Sequence, residues 1–242
     1  INPLPSIAVE GGVHSFPIAA TPLHAANGSG SVTLLLGMPH SQPLATGYLF
    51  VARLQLGSNA TLQLQDVDAG RGIVPYATDG QLGAAFLHLP TPVAHECTVL
   101  VAALGTPLLG AAANLTGGLI ALSLNASGHA TASVALELTP TPGGPPLNPL
   151  AQAGYSLVLL GGSSLHAGVQ ILVGAPGLLS SGGLLGGVLE VTITAESLAG
   201  DTPATYTLLA PGQAGVHVPP VHGAQFGAAV AVLPGAHPHN MA

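Results

Sequence analysis

The 242 residues include 34 glycines and 22 prolines, no lysine and only 5% charged side chains, where about a quarter is usual in globular domains. Two basic residues, Arg53 and Arg71, against nine acids leave a formal charge of -7, which excludes a protein that neutralises a row of nucleic-acid phosphates. Without lysine there is no phosphate-loop lysine, Schiff base or lysine nucleophile. The mean hydropathy of +0.59 comes without a run of about 20 apolar residues, because Gly, Pro and Ser interrupt even the charge-free residues 138–189. No membrane span is expected in this segment.

Taken in chain order, the predicted elements recur. Residues 13–24 read as a strand of small and apolar side chains that runs through a Pro turn to His24. A second strand follows at 32–36, a glycine-led third at 47–51 and a fourth at 60–64, where Leu62 and Leu64 flank Gln63 with the period of two that marks a half-buried strand. The same succession returns at 84–95, 98–102, 117–121 and 130–138, and again at 155–166, 169–173, 186–190 and 204–209. Residues 226–237 open a fourth copy. His24, His95, His166 and His237 close the first elements at a constant spacing of 71. The breakers Thr139-Pro140-Thr141-Pro142-Gly143-Gly144-Pro145-Pro146 form a linker that no helix or central strand tolerates, and no helix is predicted.

Four antiparallel strands at a fixed long period describe a β-propeller blade, whereas a parallel β-solenoid repeats at about 20–30 residues. The expected fold is therefore all-β: a partial propeller of four-stranded antiparallel blades with ~71-residue repeats. The blades with their connecting loops fall at 1–81, 82–152 and 153–223, and 224–242 supplies the first strand of a fourth, as a segment of a longer propeller.

Four of the seven asparagines, Asn27, Asn59, Asn114 and Asn125, stand in N-x-Ser/Thr acceptor sequences, which points to an extracellular, secreted or cell-surface glycoprotein whose sugars compensate for low surface charge. Cys97 is single, so no internal disulfide forms, and it reads as a buried free thiol on a strand, with an intermolecular bridge as the alternative. Catalysis has no constellation to rest on. No serine has glycine two residues to each side, and no His-Glu-x-x-His or Gly-x-Gly-x-x-Gly run occurs, so no enzyme is expected and no catalytic residue is assigned.

Phe226-Gly227 opening a first strand and Gly174-Ala175-Pro176 closing a second resemble the two halves of the FG-GAP repeat of integrin α-chain propellers. In the other copies Tyr155-Ser156 and Ala84-Ala85 take the place of Phe-Gly, and Gly37-Met38-Pro39 and Ala103-Leu104-Gly105 take the place of Gly-Ala-Pro. The resemblance implies an extracellular role in adhesion, ligand recognition or scaffolding, with calcium in the loop between the first two strands. Here those loops hold one acid, Glu96, where calcium takes six to eight oxygens including several carboxylates, so neither calcium nor any other metal or cofactor is expected. The string Asp66-Val67-Asp68-Ala69-Gly70 starts like a calcium loop, lacks the later ligands, and reads as a solvated turn. The four repeated histidines, too far apart around an axis to share an ion, are expected to bond loop backbone within their own blades.

These features suit a non-enzymatic structural glycoprotein of a cell wall, coat or surface filament, whose partners are further copies or other matrix and surface glycoproteins. The alternative is an integrin-like adhesion ectodomain that recognises a protein or glycan through loops on one face.

Overall fold

The computed structural model describes residues 7–8, 14–15, 19–25, 31–39, 47–55, 61–68, 70–75, 81–90, 97–105, 116–162, 168–180, 183–213, 216–217, 219 and 221–232. A two-stranded ladder of β1 (Ile7–Ala8) and β2 (His14–Ser15) precedes three larger sheets. The first sheet pairs β3 (Ala19–Ala25), β4 (Ser31–Met38), β5 (Tyr48–Gln55) and β6 (Thr61–Asp66) in sequence order, antiparallel throughout. The second repeats that order with β7 (Leu82–Leu89), β8 (Cys97–Ala103), β9 (Gly118–Leu124) and β10 (Ala130–Leu136).

After β10 the chain leaves its own sheet. β11 (Leu138–Pro140) runs parallel to the outer strand of the third sheet, so the predicted strand over 130–138 divides between two sheets at Glu137. Pro140 is tolerated there because β11 is an edge strand, where a missing N–H costs no ladder bond. The third sheet is β12 (Leu157–Gly161), β13 (Val169–Ala175), β16 (Gly187–Ile193) and β17 (Ala204–Leu209), again antiparallel in sequence order. A small hairpin, β14 (Leu179–Ser180) with β15 (Gly183–Leu184), interrupts the connection between its second and third strands.

The expectation of no helix is corrected by α1 (Ala195–Ala199), one turn between β16 and β17. The Thr194 side chain accepts the Ser197 N–H at its start, and Gly200 closes it at φ 82°. That cap and stop were legible at Thr194 and Gly200, but a single turn carries no periodicity to detect.

The sheets stack face to face. β7 packs on β3, β4 and β5 of the first sheet and on β12 of the third, so the three first strands are neighbours. One core joins Leu35, Leu49, Val51 and Val67 of the first sheet to Val99, Val101, Ile120 and Leu122 of the second. Another joins Leu100, Leu119 and Leu136 of the second sheet to Ile171, Val173, Leu189 and Val191 of the third. The middle sheet is thus buried on both faces, which is why Val99-Leu100-Val101-Ala102-Ala103 is continuously apolar while β6, exposed over its first four residues, alternates Leu with Gln.

Candidate functional site

The junctions between sheets are where the repeat concentrates its special residues. Gly47 forms a parallel bridge with Leu82, Gly117 with Ala153 and Gly186 with Phe226, so each third strand is tied at its start to the head of the following repeat. Immediately before these partners, Gln81, Gln152 and Gln225 adopt φ of 48°, 53° and 50°, a left-handed conformation that is costly for side chains other than Gly and here recurs three times. One residue after the partners, Gly83, Gly154 and Gly227 also have positive φ.

These glycines let the backbones of successive repeats approach closely. A Cβ on Gly37 would lie 2.0 Å from the Gly83 carbonyl oxygen, and one on Gly174 would lie 1.9 Å from that of Gly227. In the middle copy, a Cβ on Gly154 would meet the Ala102 Cβ at 2.9 Å. The Ser156 hydroxyl adds a 3.0 Å hydrogen bond to the Gly227 carbonyl.

This geometry corrects the register of the FG-GAP-like letters. The counterparts of Phe226-Gly227 are Ala153-Gly154 and Leu82-Gly83, not Tyr155-Ser156 and Ala84-Ala85. Strand pairing sets Gly37 opposite Leu49, Ala102 opposite Leu119 and Gly174 opposite Val188, so Ala102-Ala103-Leu104, not Ala103-Leu104-Gly105, corresponds to Gly174-Ala175-Pro176. The sequence signal was a Gln-x-Gly triplet recurring after 71 and then 73 residues, masked by the constant histidine spacing.

Of the repeated histidines, His24 lies on β3 opposite Thr33, just past a register shift, while His95, His166 and His237 lie outside the described residues. Asn27, Asn59 and Asn114 lie outside them as well. Asn125 is described. It opens the turn between β9 and β10, where its Oδ1 accepts the Ser127 N–H at 2.9 Å and the His129 N–H at 3.1 Å. Ser127, the acceptor-sequence hydroxyl, is exposed. The turn leans back on the first sheet: Arg53 donates to the Ser127 carbonyl at 2.8 Å, and the Gln65 side-chain amide meets the His129 ring.

Asp68 is not the solvated residue that its acidic string suggested. It is 5% exposed, and its carboxylate accepts N–H bonds from Gly72 (2.8 Å), Ile73 (2.7 Å) and Val74 (3.0 Å), while Asp66 accepts the Asp68 N–H. Burial works against its charge, but the Val74, Gly72 and Ile73 donors together with nearby Arg71 outweigh it and hold the carboxyl below its usual value. The carboxylate organises a loop that clasps the middle sheet: Val67 accepts the Ala130 N–H at 3.0 Å, and the Ser133 hydroxyl donates to the Ile73 carbonyl. Both Asp68 oxygens are occupied by backbone, so they are not poised for a cation. Among the described residues no three His, Cys, Asp or Glu side chains gather into a metal-binding group.

Cys97 begins β8, partly buried and unbridged, with its Sγ 3.1 Å from His88 Nδ1. Burial pushes the thiol pKa up, which lowers its thiolate fraction and makes it a poor nucleophile. Two cavities accompany these features. One of about 160 Å³ lies between β10 and α1, lined by Glu137, Ser197 and Asp201 among others. A larger one of about 420 Å³ lies between the third sheet, at Leu172, Val188 and Leu209, and the later residues Val216, His217 and Phe226. No family model matches the sequence, and no curated protein resembles it closely enough to count as a relative.

Proposed function

We propose that this chain is part of a non-enzymatic extracellular structural glycoprotein of a wall, coat or surface filament, built from FG-GAP-like modules set side by side around an axis as a partial propeller. The modules span 1–81, 82–152 and 153–223, with 224–242 opening a fourth. What supports a radial arrangement is that β3, β7 and β12 are neighbours and that each junction reuses one glycine contact and one bridge.

The observation that carries the extracellular reading is the set of four acceptor sequences in a chain with only 5% charge. A surface so poor in charge gains solubility from glycans, and a packed extracellular matrix tolerates it better than a crowded cytosol. The Asn125 turn suits an acceptor because its hydroxyl residue Ser127 is open to solvent.

Glycopeptide mass spectrometry of the chain secreted from eukaryotic cells tests the reading. N-linked glycan on two or more of Asn27, Asn59, Asn114 and Asn125 is the expected result. A chain that enters the secretory pathway, folds and leaves with all four asparagines bare overturns it.

A further inference from the structure

The turn that follows β6 carries an arginine that neither the cores nor the glycine junctions use. Arg71 stands between Gly70 and Gly72, and all three residues are exposed. Both glycines have positive φ, 72° and 69°, and nothing lies within 4 Å of a Cβ built on either. An exposed turn of small residues is where proteases enter a folded chain. Arg71 is also one of only two Lys or Arg residues in the sequence. The other, Arg53, sits inside β5, where it is paired with Thr33 on one side and Gln63 on the other, and its guanidinium donates to the Ser127 carbonyl. A protease that needs a basic residue before its cut therefore finds one bond open in the folded chain, Arg71–Gly72.

Both sides of that bond are held in place. Upstream, Val67 is fully buried and its carbonyl accepts the Ala130 N–H at 3.0 Å. Downstream, Val74 belongs to the core that joins the first two sheets, Ile73 packs against it, and the Ile73 carbonyl accepts the Ser133 hydroxyl. The Asp68 carboxylate spans the bond: its Oδ2 accepts the Gly72 N–H at 2.8 Å, and its Oδ1 accepts the N–H groups of Ile73 and Val74.

We propose that Arg71–Gly72 is a processing site for a trypsin-like serine endoprotease, and that the severed loop stays closed through an ion pair between the new Gly72 ammonium and Asp68. Such a protease recognises arginine through a carboxylate in its specificity pocket. Water adds across the peptide bond, leaving an Arg71 carboxylate and a Gly72 ammonium, with no other reactant. The Gly72 nitrogen already stands 2.8 Å from Asp68 Oδ2, so its bond to the carboxylate gains a full positive charge without a change of partner. The Arg71 carboxylate is left on the exposed side of the turn, where Gly70 lets it swing away from Asp68 into solvent. The product is a two-chain form in which residues 1–71 carry the first sheet, residues 72–242 carry the other two, and the shared core holds them together. This inference draws on the loop alone and does not depend on the glycoprotein reading.

Limited digestion of the folded full chain with trypsin, read by intact mass spectrometry and size separation, tests the site. Fragments 1–71 and 72–242 should form first, elute together at the mass of the uncut chain in native buffer, and part in denaturant. Arg71→Gln should abolish the cut, and Arg53→Gln should leave it unchanged. The ion pair has its own readout, because a chain without lysine offers acetic anhydride only α-amines near neutral pH. Gly72 of the nicked wild type should be acetylated more slowly in native buffer than in denaturant, and Asp68→Asn should remove that protection. A folded chain that stays whole at Arg71, is cut as fast at Arg53, or falls apart in native buffer once nicked overturns the site. A Gly72 amine labelled equally fast in both buffers overturns the ion pair, and this comparison needs no variant to fold.

Discussion

At the scale of single residues, the glycines at positive φ divide into those that need a bare Cα, as at the junctions, and those that need only a left-handed backbone, as in the Asp68 loop. Gly72 has φ 69° and nothing within 4 Å of an added Cβ, so Gly72→Ala should cost only the left-handed penalty of about 1–2 kcal/mol. Gly227, with φ 90° and the Gly187 carbonyl oxygen 2.1 Å from an added Cβ, cannot accept Ala without moving backbone. Chemical denaturation should show Gly227→Ala losing clearly more stability than Gly72→Ala, and equal losses would mean that the sheets do not approach as closely as described. Asp68 gives a second test, with acid as the variable. Its carboxyl is held below its ordinary value, so its contribution is complete above that value, ~3.9, and is lost as pH falls through the lower folded value. Thermal melts from neutral pH downward should show wild type losing stability steeply in strong acid. Asp68→Asn should start lower at neutral pH and fall less, and parallel acid limbs would remove Asp68 from the account.

Among the elements, the middle sheet bears the greatest load because it is packed from both sides. Leu119 is 0% exposed and belongs to the core shared with the third sheet. Leu119→Ala should therefore cost about 2–5 kcal/mol in urea denaturation, whereas Leu62→Ala, at 44% exposure, should stay within about half a kcal/mol. At the outer edge of the third sheet, Tyr206 lies 1% exposed with its hydroxyl donating to the Pro145 carbonyl at 2.9 Å. Tyr206→Phe keeps the packing and removes that tether, so the Pro-rich linker over 141–147 should be cut faster by protease at a stability cost of about 1 kcal/mol. Unchanged cutting would show that β11 alone holds the linker.

The elements also show what the sequence could and could not reveal. Second, third and fourth strands were legible in place and order, because dense Val, Leu and Ile between glycine breakers mark a buried strand without reference to its partner, although the third strands run on to Gln55, Leu124 and Ile193, three to four residues past the ends expected for them. The first strands were placed less well: among the described residues, the element expected at 13–24 is a strand over 14–15, which pairs with β1 rather than with the first sheet, and over 19–25, and that at 155–166 begins as a strand at Leu157 rather than at Tyr155. Small residues and turn formers there obey the needs of the neighbouring sheet, which local pattern does not record. For the same reason Asp68 looked solvated: its three donors come from residues four to six positions later, and only the folded loop brings them to it.

For the whole molecule, the described residues form three four-stranded repeats in a row, with the middle sheet packed on both faces. Hydrogen exchange tests that arrangement most directly. Amides of β8 and β9 should exchange most slowly, with β4, β5, β13 and β16 faster, because only the middle sheet shares a core with a neighbour on each side. Outer sheets as protected as the middle one would contradict a row of equivalent modules joined by one repeated contact.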